Sequence, residues 1–487
     1  RPYKLYRHTI GTDPSTDEFL YHETDDALWL DVYNTKSRQY VILISSSHTT
    51  CEIHYLDAHT PHDTFTVIHP RQQDMEYYVV HHGNKFYIRT NDKAKNFRVC
   101  EAPVDDPRKS NWKEIIPHRD SVMIEKIEIF KNYLVVHERI NALEQLLITD
   151  LKSGNSHYID FDEPVYTFWL HDNRDFNTTF VRFTYSSFTT PKTVFEYDMK
   201  TRTRRLLKQH EVVGGFDPDQ YQTERIFATA RNGTRIPISL VYKRSLKKND
   251  GNPFYLAGYG AYGTSSEPYF SSNRISLLDR GFIYGIAHVR GGGEMGRIWY
   301  EQGKLFNKMN TFTDYISCAE YLIEEKYTSP EYLIMAGGSA GGLLVGTVLN
   351  MRPELFKAVV SDVPFVDLIN TMLDASLPLT VLEYEEWGNP QEAAYYEYMK
   401  TYSPYDNVTA QDYPQILITA ALNDPRVMYW EPAKWTAKLR SLKTDNNTLL
   451  LNMDMASGHM GASGRYDYLR NLAFEYAFML DIFNIKK

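Results

Sequence analysis

Two kinds of hydrophobic patterning divide this chain of 487 residues. Up to about residue 215, short apolar or alternating runs are separated by turn residues, as at 27–33, 40–44, 77–80, 85–89 and 133–136. Runs of this length and alternation predict strands. From about residue 225 onward, strand-like runs alternate with helix-length segments and glycines cluster, which is the α/β pattern. The chain therefore reads as two domains, residues 1–215 all-β and residues 216–487 α/β, as its length also requires.

The first domain repeats. FTVIHP at 65–70 is echoed by WKEIIP at 112–117 and again at 157–164, so that Pro70, Pro117 and Pro164 stand 47 residues apart. A second series ends strand-like runs in Asp57, Asp150 and Asp198, at once or twice nearly the same period. A unit of this length holding about four short strands predicts a β-propeller blade. Residues 1–215 hold four to five such units, the first incomplete. Since the chain opens on Arg1 rather than Met, a further segment of the same protein is expected before it.

The α/β half carries the candidate chemistry. An apolar strand at 333–336 runs into Gly337-Gly338-Ser339-Ala340-Gly341, a G-x-S-x-G pattern, and a helix-like run over 343–350 follows. A serine on a sharp strand-to-helix turn has its hydroxyl pushed out of the sheet, and the helix N-terminus behind it favours developing negative charge. On this architecture a carboxylate and a histidine follow in loops after later strands. The strand at 415–420 leads to Asp424, and the strand at 448–453 leads to His459 among glycines. Ser339, Asp424 and His459 are the expected nucleophile, orienting carboxylate and general base. Asp454 is the competing carboxylate. A helix is predicted over 468–482.

Composition narrows the function classes. The net charge of −9 speaks against nucleic-acid binding and for basic ligands. No apolar run approaches a membrane span. Three widely spaced cysteines suit a reducing compartment, so a cytoplasmic location is expected. No Cys/His cluster has metal-site spacing, and no cofactor signature is present. HVRGGG at 288–293 lacks the spacing and the Lys-Ser/Thr ending of a phosphate loop, and reads as a structural turn.

Several stretches carry a resemblance over nearly the whole chain: RHTIGT at 7–12, SLLDRGF at 276–282, HVRGGGE at 288–294, GGSAGG at 337–342, EYEEWGNP at 383–390, YSPYDNV at 402–408 and YWEPAKW at 429–435. With them the chain resembles the oligopeptidase B group of the prolyl oligopeptidase family of serine peptidases. The resemblance implies an α/β-hydrolase domain with a seven-bladed propeller, of which this chain holds the C-terminal part. It implies an endopeptidase acting on short peptides after Arg or Lys, without a cofactor. It also implies that the absent N-terminal segment completes both domains.

Carried over residue by residue, the resemblance makes Tyr259, with the Ala340 N–H, the oxyanion donors. Glu383 and Glu385 become the acidic pair for a basic P1 side chain, with Glu383 the direct contact. Whether 383–386 is helical or extended, and so which carboxylate dominates, stays open in the sequence. Arg426 matches a position that contacts the peptide backbone. Where relatives carry two aspartates for P2, this chain keeps one acid as Glu267 and has Tyr269 at the other. The alternative is another hydrolase of the same fold, an acylaminoacyl peptidase or esterase. The acidic run 383–386 discriminates, since an ester pocket should be apolar there.

Overall fold

The computed structural model describes residues 2–464 and 466–486. Its first half holds four antiparallel four-stranded sheets and a two-stranded sheet of Lys4–Arg7 and Glu18–His22. The first four-stranded sheet comprises Trp29–Asn34, Tyr40–Ser46, Cys51–Asp57 and Thr66–His69. The fourth ends with Thr203–Gln209. In every sheet the strands pair in chain order, as propeller blades do.

The sequence repeat now has a physical meaning. The stretches ending in Pro70 and Pro117 are the outermost strands of their blades, Thr66–His69 and Lys113–Ile116. A proline there ends pairing without leaving a ladder partner unmet. Asp57, Asp150 and Asp198 each close a third strand. Each carboxylate accepts the backbone N–H two residues on, from His59, Lys152 and Lys200 at 2.8–2.9 Å. This Asx turn starts the hairpin to the outer strand.

From Tyr221 the chain builds one eight-stranded sheet. Its strands are β1 (Tyr221–Thr229), β2 (Arg235–Lys243), β3 (Phe254–Gly258), β4 (Ile283–Ala287), β5 (Leu333–Gly338), β6 (Ala358–Asp362), β7 (Gln415–Ala421) and β8 (Leu449–Asp454). Their order is β1-β2-β4-β3-β5-β6-β7-β8, with β1 and β2 antiparallel to their neighbours and the rest parallel. That is the α/β-hydrolase arrangement. The central strands are buried on both faces, as crossover helices require. The helix Ala340–Met351 packs on β5 with ten of its residues buried. The predicted helix over 468–482 is Tyr468–Ile482.

Polar contacts join the halves. Arg139 pairs with Glu267 at 2.6 Å and Glu76 with Arg297 at 2.7 Å. Ser47 Oγ donates to Glu385 at 2.8 Å, and the Phe270 N–H donates to Ser186 Oγ at 3.0 Å.

Candidate active site

Ser339 sits between β5 and the helix Ala340–Met351 with φ 56° and ψ −121°. A non-glycine residue there stores about 1–3 kcal/mol of strain, held by its surroundings. The clamp is visible in the hydrogen bonds: Ser339 N–H donates to Asp362 O at 2.9 Å, and Ser339 O accepts from Phe365 N–H at 3.0 Å. The neighbouring glycines are steric necessities. A Cβ on Gly341 would lie 2.7 Å from Gly258 O, and one on Gly342 2.4 Å from Pro364 Cα.

The structure brings Ser339, His459 and Asp424 into one row. Ser339 Oγ lies 3.2 Å from His459 Nε2, and His459 Nδ1 lies 2.7 Å from Asp424 Oδ2. Asp424 is buried, and its other oxygen accepts the N–H groups of Arg426 at 2.8 Å and Val427 at 3.0 Å. Burial alone would raise its pKa. The hydrogen bonds from His459 and those two N–H groups prevail and hold it below the usual carboxylate value. Asp454, the competitor, accepts the N–H groups of Ala456 and Ser457, capping the turn that leads into His459.

Ser339 opens on a cavity of about 580 Å³ that also has Tyr259, Ala340, Glu383 and Arg426 in its walls. Tyr259 follows β3. Burial first, then the fields of Glu383 and Glu386, push its hydroxyl up to about 12, so it is a neutral donor at physiological pH. Ala340 is the first residue of its helix, where N–H groups have no intrahelical carbonyl.

Glu383 lies on the helix Thr380–Trp387. One of its oxygens accepts from Tyr262 O–H and from Trp387 Nε1–H, both at 2.7 Å. The second makes no protein hydrogen bond among the described residues. Burial raises Glu383 to about 7 despite those donors, with Glu386 adding to the rise and Lys308 opposing it. Lys308 is itself buried, donating to Gly260 O at 2.6 Å and lying 3.5 Å from Glu386.

Two expected substrate contacts stand elsewhere. Glu385, two positions along the same helix, faces the propeller, accepts from Ser47 and is absent from the cavity wall. On a helix a two-residue step turns a side chain to another face, so the acidic pair is split. Glu267 is also absent from the wall. It is engaged by Arg139, which is buried with Glu125 at 2.5 Å as well. Arg426 is exposed at the cavity, and its guanidinium makes no protein hydrogen bond or ion pair among the described residues.

The first half supplies three wall residues that sequence patterning missed, Pro2, Trp29 and His48. No local signal links them to a serine some three hundred positions on. Trp387, four residues from Glu383 on one helix, could have been read from the i, i+4 spacing. HVRGGG is the turn expected. Arg290 is locked to Asp314 by Nε at 2.7 Å and Nη2 at 2.5 Å, and Gly291 O accepts from Gly263 N–H, bracing the loop after β3.

Among the described residues, one cluster has donor atoms close enough for a metal: Glu125, His137 and Glu144, all within 4.8 Å of one another. Arg139 lies 2.5 Å from Glu125 and 3.6 Å from Glu144 and already supplies the positive charge.

Comparison with known proteins agrees with the two-part fold. The prolyl oligopeptidase family profile matches residues 268–486, and the profile of the prolyl oligopeptidase N-terminal beta-propeller domain matches residues 1–210. Protease 2 of Moraxella lacunata is 43% identical over 99% of this chain and 69% of its own length. The chain belongs to the prolyl oligopeptidase family. Another relative, dipeptidyl aminopeptidase BI of Pseudoxanthomonas mexicana, is 44% identical over 98% of this chain and 66% of its own. Among solved structures, oligopeptidase B from Leishmania major matches with TM-score 0.95 and 42% identity, over 99% of this chain and 69% of that one. Oligopeptidase B from Trypanosoma brucei, in a closed form with covalently bound antipain, matches with TM-score 0.96 and 44% identity, over 100% and 70%. The chain thus spans about two thirds of the length of these relatives.

Proposed function

We propose that this protein is a serine endopeptidase that cuts short peptides on the C-terminal side of Arg or Lys. The observation that carries the reading is Glu383, a carboxylate with one free oxygen in the same cavity as Ser339. A guanidinium or ammonium docked there gains a charge-assisted hydrogen bond shielded from water.

The steps follow from the geometry. His459 takes the Ser339 proton as the hydroxyl attacks the scissile carbonyl. Asp424 holds the imidazole in the tautomer that leaves Nε2 free. The oxyanion meets Tyr259 O–H and Ala340 N–H. His459 then protonates the leaving amine, the acyl-enzyme forms on Ser339, and a water activated by His459 releases the product. Arg426, free at the cavity rim, is suited to the peptide backbone. The propeller over the cavity admits short or unstructured chains.

Oligopeptidase B among the structural relatives supports the basic preference. An esterase or acylaminoacyl peptidase would face the buried Glu383 carboxyl group where its apolar group must sit. A further N-terminal segment of the same protein belongs to the reading, supported by the greater length of the relatives. A cytoplasmic setting is supported by three free, buried cysteines.

The test uses matched fluorogenic peptides with P1 Arg and P1 Leu, on wild type and Glu383→Gln. The expected result is a strong Arg preference in wild type. In Glu383→Gln the Arg peptide loses about a hundredfold in kcat/KM while an organophosphonate still labels Ser339. Equal cleavage of both peptides by wild type would overturn the basic specificity.

A further inference from the structure

The wall of the cavity opposite the hydrolase is made by the propeller, and His48 offers unused hydrogen-bond acceptor capacity there. It sits in the tight hairpin between Tyr40–Ser46 and Cys51–Asp57. Ser47 fixes that hairpin: its N–H donates to Thr50 O at 2.9 Å and its hydroxyl donates across the domain boundary to Glu385 at 2.8 Å. The His48 ring packs against Tyr262, with centroids 5.5 Å apart, and against Trp29 at 5.6 Å. Tyr262 is the residue whose hydroxyl holds Glu383. His48 therefore lies one ring away from the carboxylate of the P1 site. Neither of its ring nitrogens has a protein hydrogen bond among the described residues, and it lines the cavity that Ser339 opens on.

Burial makes this imidazole harder to protonate, outweighing the pull of Glu385 and Glu386, so it presents one N–H and one lone pair. Glu383 has one oxygen occupied by Tyr262 and Trp387. A guanidinium spreads five N–H donors over a plane. The free oxygen of Glu383 cannot take them all, and a donor left bare where the side chain is shielded from water is costly. An ammonium is a compact head with three rotatable donors and reaches less far from the carboxylate.

We propose that His48 is a specificity-determining residue that accepts a hydrogen bond from the guanidinium of a P1 arginine docked on Glu383, and so favours arginine over lysine. This rests on the basic-P1 reading above. It makes the choice between the two basic residues a property of the propeller, and the choice of basic over apolar residues a property of the hydrolase.

The experiment measures kcat/KM for two peptides differing only in P1 Arg or P1 Lys, on the full-length protein. The variants are His48→Phe, which keeps a packing ring without an acceptor, and His48→Gln, which restores an acceptor. Thermal midpoints check that each variant folds. In His48→Phe the Arg:Lys ratio is expected to fall about tenfold, through the Arg peptide alone, with partial recovery in His48→Gln. A ratio within about twofold of wild type in His48→Phe, or equal losses on both peptides, overturns the proposal and leaves His48 a packing residue. If wild type cuts neither peptide while Ser339 is still labelled, the basic-P1 reading itself fails and this proposal falls with it. If Glu383→Gln abolishes the basic preference while His48→Phe keeps the Arg:Lys ratio, this proposal alone falls.

Discussion

In the propeller half one local device recurs from blade to blade, whereas the hydrolase half uses each of its special residues once. Asp57, Asp150 and Asp198 make the same turn at the same place in three different blades. Ser339, by contrast, is held in a strained conformation by contacts from β6 and the following loop that have no second copy. Repetition spreads stability over equivalent parts, each replaceable at small cost. A single constellation concentrates reactivity where one loss is total. The two meet through polar and charged contacts and through one apolar cluster, in which Val165 and Phe188 of the propeller pack with Tyr221, Val241, Leu278 and Ile286 of the hydrolase, while each half also keeps hydrophobic clusters of its own.

The sharpest way to break this contrast is at its extremes. Ser339→Ala should lower peptide hydrolysis by about a millionfold, while the thermal midpoint stays the same, because alanine keeps the Cβ and with it the same backbone strain. A measurable loss of stability would show that the serine is part of the scaffold after all.

The next effect lies on the boundary. Arg139 is buried among Glu125, Glu144 and Glu267. Arg139→Met leaves Glu267 without its partner and Glu125 and Glu144 with His137 alone, and should cost about 3–5 kcal/mol in chemical denaturation. If the midpoint moves little, the contact is dispensable and the halves are stable without it.

A smaller effect is set by pH. Glu383 has a raised pKa of about 7 in the free enzyme. Below that pH it is protonated and neutral, and above it carries the charge that a basic P1 side chain needs. The ratio of kcat/KM for P1 Arg over P1 Leu should therefore rise as pH increases through 7, changing by up to about tenfold per unit below it. The Leu peptide shares His459 but not the Glu383 contact, so the ratio isolates Glu383. A flat ratio would place the ionisation elsewhere.

The smallest is expected in the repeat. Asp198→Ala removes one Asx turn and should cost about 0.5–1 kcal/mol, with hydrolysis unchanged. A large loss of activity would mean that outer blade edges communicate with the site.

Much of this was legible in sequence for a definable reason. Strand runs bounded by turn residues gave the sheets, because alternation and turn chemistry are local. Ser339, Asp424 and His459 could be sought together because a parallel sheet delivers its loops to one edge. Two kinds of information were not local. The phase of the helix Thr380–Trp387 decides that Glu383 faces the cavity and Glu385 the propeller, and the letters EYEE are compatible with either. Contacts across the domain boundary turn Glu267 toward Arg139 and bring Trp29 and His48 to the cavity, and no periodicity encodes them.

The sulfur content of the chain carries a practical consequence. Its three cysteines, Cys51, Cys100 and Cys318, are all free and buried, and burial raises each thiol, Cys51 to about 12. Thiolate chemistry at neutral pH is therefore suppressed throughout the native protein. Two cysteines introduced on opposite lips of the cleft would be the fast-reacting pair without any prior removal of the native ones. Spin labels or dyes placed there could follow the distance between propeller and hydrolase during turnover, in an otherwise unaltered background.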